Sequence, residues 1–149
     1  MDFAWTEEQL AFRKAVVDEG VEARFRIDSA GTSGYHDGDA PDARTTQTAR
    51  RRGVTVDGRS RRIAVADLGE FDYVVVMDED NLRAVEGLVD TGGGTARVAR
   101  LREYDPEADG DLDVPDPYFG GPEGFENVHD MVERSTRALL ERIRKEHGF

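Results

Sequence analysis

The sequence predicts a single α/β domain, spanning residues 1–149, with a parallel sheet. Two patterns carry this prediction. The segment from Phe71 to Met77 contains a continuous apolar run after Asp72, which is typical of a strand buried on both faces. Strand patterns also alternate along the chain with helical patterns, the order that places helices around a parallel sheet. At 149 residues the chain is long enough for one domain with a sizeable core.

The first half of the chain contains two predicted helices and one predicted strand. Thr6 with Gln9 forms a capping box, which starts a helix at about residue 7 that runs to Glu19 and stops at Gly20. Its apolar side chains, Val17 included, predict a helix largely covered by its neighbours. Alternation over Phe25–Ser29 predicts a short strand. Residues 41–52 begin near a proline and end before a glycine, as a helix does.

Predicted strands and helices also alternate in the second half of the chain. Acidic residues after the 71–77 strand, from Asp78 to Asn81, predict the start of a helix. Residues 96–101 fit a further strand. The acidic segment 103–113 is predicted to be a solvated loop. A long helix is predicted from about residue 124 to 145, with an apolar stripe that includes Phe125, Val128, Val132, Leu139 and Ile143.

Composition narrows the classes of partner. The net charge of -12 disfavours nucleic acid and anionic membranes, because both repel an acidic surface. The sequence has no apolar window of about twenty residues that would span a membrane. Its start lacks the basic and apolar regions of a secretory signal. We therefore expect a cytoplasmic protein.

The sequence contains no cysteine and three histidines. The absence of cysteine removes disulfides, thiolate metal sites and cysteine nucleophiles. His36, His129 and His147 lie far apart, and no pair has the spacing of metal ligands. We predict no metal and no cofactor.

Val114 to Gly121 is the segment with the clearest chemical character. Asp116 stands between two prolines and is followed by Tyr118, Phe119 and two glycines. Proline restricts the loop around the carboxylate, and a carboxylate shielded by aromatic rings has the raised pKa that a general acid needs. The alternative is a proline-rich turn with an exposed carboxylate and two rings packed on the core.

Several motifs resemble, in order, the low-molecular-weight protein tyrosine phosphatases. The resemblance covers about nine-tenths of the chain, from about Phe12 onward. The matching segments are Phe12-Arg13-Lys14, Ile27 to Gly34, Pro41 to Arg44, Phe71-Asp72-Tyr73, Met77 to Leu82, and Asp116 to Gly120. Arsenate reductases of related fold match less well.

The resemblance implies a three-layer sandwich with a four-stranded parallel sheet. It also implies a mechanism in which a thiolate attacks the phosphorus of a phosphotyrosine protein or small phosphate monoester, and an aspartic acid protonates the leaving group. Asp116 matches that acid. Tyr118 and Phe119 match the aromatic wall of the substrate cleft, and Ser29 matches a serine that supports the phosphate loop. Arg59 stands where many bacterial members have a histidine.

The chain departs from this family at its start. The family signature, Cys-x5-Arg-Ser, lies directly before the first helix and cradles the phosphate. Counting back from Phe12, its arginine falls on Ala4 and its cysteine lies before Met1. The first sixteen residues instead resemble the opening of acyl-CoA dehydrogenases, with Met1-Asp2-Phe3-Ala4 and Thr6 to Leu10. We interpret this start as a replaced N-terminus, with a wrong start site equally possible.

Three interpretations follow from this departure. The chain is an inactive member of the family, or it lacks the true N-terminus of an active phosphatase, or it is a phosphoprotein-binding module that uses Arg59, Arg61 and Arg62. The third competes with the simpler view that these arginines pair with surface acids. The missing segment also includes the central first strand, so we expect marginal stability and self-association through the incomplete sheet.

Overall fold

The computed structural model describes residues 7–28, 30–32, 61–115 and 121–149. The predicted helix over residues 41–52 lies outside these ranges. Two short 3-10 turns cover Glu22–Arg24 and Leu101–Tyr104. The helices and strands of the described residues are α1 Glu7–Asp18, α2 Asp67–Glu70, β1 Tyr73–Val76, α3 Glu79–Gly92, β2 Arg97–Arg100 and α4 Gly121–His147.

The two strands form a parallel pair, as the alternating pattern predicts. Tyr73 lies opposite Arg97 at one end of the pair, and Val76 lies opposite Arg100 at the other. A parallel pair needs a crossover connection, which α3 supplies. A single parallel bridge joins Gly31 to Arg62 elsewhere. The α/β class with a parallel sheet is confirmed.

Helices cover both faces of this sheet. One cluster of apolar side chains joins α1 and α4 to Val75, and a second joins α3 to Val74 and Val76. Because successive strand residues point to opposite faces, β1 contributes to both clusters. The strand is nevertheless only half-buried at three of its four residues. Within the described ranges, no helix has the length and hydropathy needed to cross a bilayer.

The first helix forms nearly as predicted, from Glu7 to Asp18. It ends where Gly20 adopts a positive φ of 69° and Val21 donates its N–H to the carbonyl of Val16, at 2.9 Å. The expectation for Val17 was wrong, since 60% of that residue is exposed. The helix packs against α4 through Ala15 and Val16 on its other side, so Val17 faces away from the core.

Residues 25–28, the described part of the strand predicted over Phe25–Ser29, do not form a strand. Phe25 has extended backbone angles, φ -125° and ψ 141°, but residues 25–28 belong to no ladder. The pattern predicted the local conformation correctly. A strand also needs a neighbour, and no strand of the described residues lies beside this segment on the side that faces β1.

The acidic segment after β2, residues 103–113, was expected to be a solvated loop. Part of it is buried. The side chain of Asp105 is 0% exposed and lies against the guanidinium groups of Arg102 and Arg134. Because the second of these partners comes from α4, 29 residues away, the sequence pattern around Asp105 gave no sign of its burial.

Gly94 marks a tight turn before β2, and its replacement tests that turn. Its φ is +119°, and a Cβ there would lie 2.7 Å from the Cβ and 2.8 Å from the carbonyl oxygen of Leu68. That oxygen already accepts the N–H groups of Thr95 and Ala96, which fixes it in place. We expect Gly94→Ala to destabilise the fold by about 1–3 kcal/mol or more, because the alanine would have a strained backbone and its Cβ would overlap Leu68.

Gly87 is the matched control for this substitution. It lies in α3, is exposed, and a Cβ there would meet nothing within 4 Å. Gly87→Ala should therefore stabilise the protein by about 0.5–1 kcal/mol. Urea denaturation of both variants measures the difference, and equal effects in the two would contradict this account of the turn.

Candidate functional site

The carboxyl end of β1 is the edge where the described parts of the candidate site meet. In open parallel sheets, ligands bind outside the carboxyl ends of the strands. Met77 follows β1 directly, and Asp78 then caps α3 by accepting the N–H of Asn81 at 2.8 Å. The acidic helix start predicted at these residues is confirmed. The cap sets the angle at which the chain leaves the sheet.

Asn81 joins three segments at this edge. Its Oδ1 accepts the N–H of Met77 at 3.4 Å, and its Nδ2 donates to the hydroxyl of Thr32 at 3.5 Å. Both contacts are long, yet they lie on opposite ends of one amide group. Asn81 thus links the start of α3 to the end of β1 and to the segment that follows Ser29.

The chain that leads to Asp116 is anchored at the same edge. Val114 donates its N–H to the carbonyl of Met77 at 2.8 Å and is 5% exposed. The carboxylate of Asp113 accepts the N–H of Glu79 at 3.0 Å and contacts Arg100 at 3.3 Å. Residues 113 and 114 are therefore held against both β1 and α3.

A network of charges holds the segment that precedes Ser29. Arg61 donates to the carboxylate of Asp28 at 3.1 Å and to that of Asp67 at 3.0 and 3.2 Å. The N–H of Ala64 donates to Asp67 at 2.8 Å. Two carboxylates thus fix one guanidinium group, and Arg61 ties Asp28 to a segment 33 residues further along the chain.

The network shifts the pKa values of its members. Burial raises the pKa of Asp67, but hydrogen bonds from Arg61 and Ala64 outweigh it, and the pKa lies below its usual value. The hydrogen bond to Asp67 raises the pKa of Arg61. The group therefore remains an ion pair at neutral pH, and Arg61 is already engaged by protein carboxylates.

All five predicted site residues lie outside the described residues: Ser29, Arg59, Asp116, Tyr118 and Phe119. The structure shows instead how their described neighbours are held. Sequence reasoning missed Asn81 as a link and Asp67 as a partner of Arg61. In the described parts of the chain, no group of three or more metal-ligating side chains converges.

A sequence model of the family described as low molecular weight phosphotyrosine protein phosphatase matches residues 5–148. The chain belongs to this family. The resemblance drawn from the motifs is thereby confirmed, and it extends across almost the whole chain. A low molecular weight protein-tyrosine-phosphatase of Streptomyces coelicolor is 40% identical over 139 residues, which cover 93% of this chain and 85% of the relative.

Relatives from distant organisms agree with this placement. The human low molecular weight phosphotyrosine protein phosphatase is 37% identical over 137 residues, covering 90% of this chain and 84% of the human protein. The crystal structure of YfkJ from Bacillus subtilis superposes with a TM-score of 0.84 at 33% identity, covering 94% of this chain and 86% of that one. The fold of the phosphatase family therefore accounts for β1, β2 and the helices around them.

Proposed function

We propose that these 149 residues form a phosphatase-family domain that does not hydrolyse phosphotyrosine. The observation that supports this proposal is the absence of cysteine from the sequence. The reaction of the family begins with a thiolate that attacks phosphorus, and a serine or threonine hydroxyl substitutes for a thiolate only when a base removes its proton. Members of the family act on phosphotyrosine proteins or small phosphate monoesters, and this chain lacks the group that accepts the phosphoryl.

The described histidines offer no replacement base at the candidate edge. His129 is 2% exposed within α4. His147 lies 2.9 Å from the hydroxyl of Tyr73, at the amino end of β1 and so away from Asn81. Activation of a hydroxyl nucleophile by either histidine is therefore disfavoured.

We assign Asp116 the position of the general acid of the family, with Tyr118 and Phe119 as the wall of the substrate cleft. The anchoring of Val114 on the carbonyl of Met77 supports this assignment, because it holds the approach to Asp116 at the carboxyl end of the sheet. By the same resemblance, we assign Ser29 to support of the phosphate loop, and Arg59 to substrate binding at the position where many bacterial members have a histidine. Without a nucleophile to attack phosphorus, the P–O bond of the ester does not break, and Asp116 has no leaving group to protonate.

A phosphatase assay tests the proposal. We expect the purified chain to release no phosphate from para-nitrophenyl phosphate or a phosphotyrosine peptide above the buffer rate, and Asp116→Asn to behave identically. The Streptomyces coelicolor relative, assayed in parallel, is the positive control. Phosphate release by this chain that disappears in Asp116→Asn would refute the proposal.

The two other interpretations separate by simple observations. An in-frame Cys-x5-Arg sequence in the DNA upstream of the Met1 codon would favour an active phosphatase with a longer native chain. The phosphoprotein-binding interpretation loses support from the geometry, because Arg61 is engaged by Asp28 and Asp67. A phosphotyrosine peptide that fails to bind at millimolar concentration would remove it.

A further inference from the structure

Residues 105–113 form a loop whose two ends are held by one side chain. Arg102 donates through Nε to the carboxylate of Asp105 at 3.2 Å, and through Nη1 to the carbonyl of Asp113 at 3.3 Å. Arg134 of α4 also donates to Asp105, at 2.8 Å. The ends of the loop are therefore fixed to the domain independently of the residues between them.

The middle of this loop is open to solvent and belongs to no helix or strand. Asp109, Gly110 and Asp111 are all exposed. Gly110 has a positive φ of 83°, and a Cβ built there would meet nothing within 4 Å. Among the described residues, neither the carboxylate of Asp109 nor the backbone N–H of Gly110 has a hydrogen-bond partner. This part of the loop can therefore change its conformation at little cost in free energy.

An aspartate followed by a glycine is prone to an intramolecular reaction of the backbone. A bond between the nitrogen of Gly110 and Cγ of Asp109 closes a five-membered ring. A side chain on the following residue hinders this approach, and glycine has none. A protonated carboxyl loses its hydroxyl as water more readily than a carboxylate does, so mildly acidic solution favours the reaction. Asp109 and Gly110 meet the chemical and the structural requirements together.

We propose that the folded chain forms isoaspartate spontaneously at Asp109. The nitrogen of Gly110 bonds to Cγ of Asp109, the bond from Cγ to its hydroxyl breaks, and the N–H proton leaves with that hydroxyl as water. The product is a cyclic imide. Water then adds to the main-chain carbonyl of residue 109 and breaks its bond to nitrogen, so that the chain continues through Cγ. The reaction needs no oxidant, reductant or other reactant.

Neighbouring aspartates of the loop lack this combination. Asp105 is followed by Pro106, which has no N–H to lose. Asp113 is followed by Val114, which is β-branched and donates its N–H to the carbonyl of Met77 at 2.8 Å. Within the described ranges, no aspartate other than Asp109 precedes a glycine.

The modification should leave the fold intact. The isoaspartyl linkage adds one carbon to the main chain between Asp105 and Asp113, and both of these residues are held by Arg102. The loop between them absorbs the extra atom, because its exposed middle makes no contact that the domain needs. We therefore expect the modified chain to accumulate as folded protein and to keep the urea denaturation midpoint of the fresh chain. A lowered midpoint that follows the extent of modification would overturn this part of the proposal.

Prolonged incubation of the full chain at pH 5, followed by tryptic digestion, tests the proposal. An isoaspartate-specific carboxyl methyltransferase with a radioactive sulfonium methyl donor labels the peptides, and electron-transfer fragmentation identifies the labelled residue. Trypsin separates the three Asp-Gly pairs of the sequence, because Asp109 lies in peptide 103–134 and the other two pairs lie in 27–44 and 53–59. We expect label in peptide 103–134, located at Asp109.

A synthetic peptide of residues 103–115 shows whether the fold protects this site. Because the middle of the loop opens at little cost, the folded chain should be labelled at a rate within about threefold of that of the peptide. In the peptide, Gly110→Ala should slow labelling by more than about tenfold, since it adds a Cβ beside the attacking nitrogen. Labelling of the folded chain more than about tenfold slower than that of the peptide would overturn the proposal.

Two variants of the full chain identify the reacting side chain. Asp109→Glu keeps the charge and the glycine but requires a six-membered ring, which forms far more slowly, so label in peptide 103–134 should be lost. Asp111→Glu is the matched control, since Asp111 is equally exposed but precedes Leu112, and it should leave labelling unchanged. Undiminished label in Asp109→Glu would overturn the proposal, because another residue would then be its source.

Discussion

Replacing Asp105 by alanine is expected to destabilise the protein by roughly 3–5 kcal/mol, because it leaves buried positive charge without a partner. The carboxylate of Asp105 is 0% exposed. It accepts from Arg134 at 2.8 and 3.0 Å, from Arg102 at 3.2 Å and from the N–H of Glu107 at 2.9 Å. Since the side chain of Arg102 is only 9% exposed, water can replace little of this lost contact.

Asp109 is the matched control for Asp105. It lies four residues further along the same segment and is exposed. Asp109→Ala should change the free energy of unfolding by less than about 0.5 kcal/mol. Urea denaturation at pH 7 measures both variants. A loss below about 1 kcal/mol in Asp105→Ala would show that the network contributes little to stability.

The same carboxylate predicts how stability depends on pH. The hydrogen bond from Arg134, against the opposing effect of burial, lowers the pKa of Asp105 to about 2 in the folded protein, from 3.8. The folded pKa is the lower one, so the stabilisation is complete above about pH 5 and is lost as the pH falls towards 2. Its size is about 2 kcal/mol.

Asp105→Asn isolates this contribution, since it keeps the shape of the side chain and removes its titration. The difference in unfolding free energy between the unmodified chain and the variant should shrink as the pH falls from 5 to 3. Denaturation series at these pH values measure it. A difference that stays constant across this range would contradict the lowered pKa.

Leu140→Ala is the second substitution with a large expected effect. Leu140 is 0% exposed and belongs to the cluster that joins α1 and α4. Truncating a buried leucine removes apolar contact and leaves a cavity, at a cost of about 2–5 kcal/mol. Domains of this kind are stable by only about 5–15 kcal/mol in total, so the variant should lose a large fraction of its stability.

Two further substitutions serve as controls for Leu140→Ala. Leu140→Met keeps most of the volume and should cost less than about 1.5 kcal/mol. Val17→Ala, on the exposed side of α1, should be close to neutral. Calorimetric midpoints compare the three. If Leu140→Ala melts within a degree or two of Val17→Ala, the packing of α4 against α1 is not the main source of stability.

The features predicted correctly from the sequence are those with local causes. The cap at Asp78 and the stop at Gly20 depend on residues within a turn of the helix end, and both are confirmed. The apolar run that contains Tyr73–Val76 predicted β1 for the same reason, because strand propensity and burial on two faces are both visible in a short window.

The features that sequence reasoning missed depend on distant partners. Asp105 is buried because Arg134 lies across from it, and Asn81 acquires its linking role from Thr32, 49 residues away. The segment at Phe25 was predicted as a strand, but a ladder requires a neighbour that the described residues do not supply. Motifs in order along the chain predicted the family, which is confirmed, whereas the roles of Asp116 and its neighbours remain predictions.

The mass of the intact chain during incubation with a phosphotyrosine peptide tests the central claim most directly. A phosphatase of this family passes through a phosphorylated enzyme, and this chain has no thiolate to carry the phosphoryl group. We predict that rapid acid quenching followed by mass spectrometry finds only the unmodified chain. A species heavier by one phosphoryl group, which disappears as the substrate is consumed, would contradict the account.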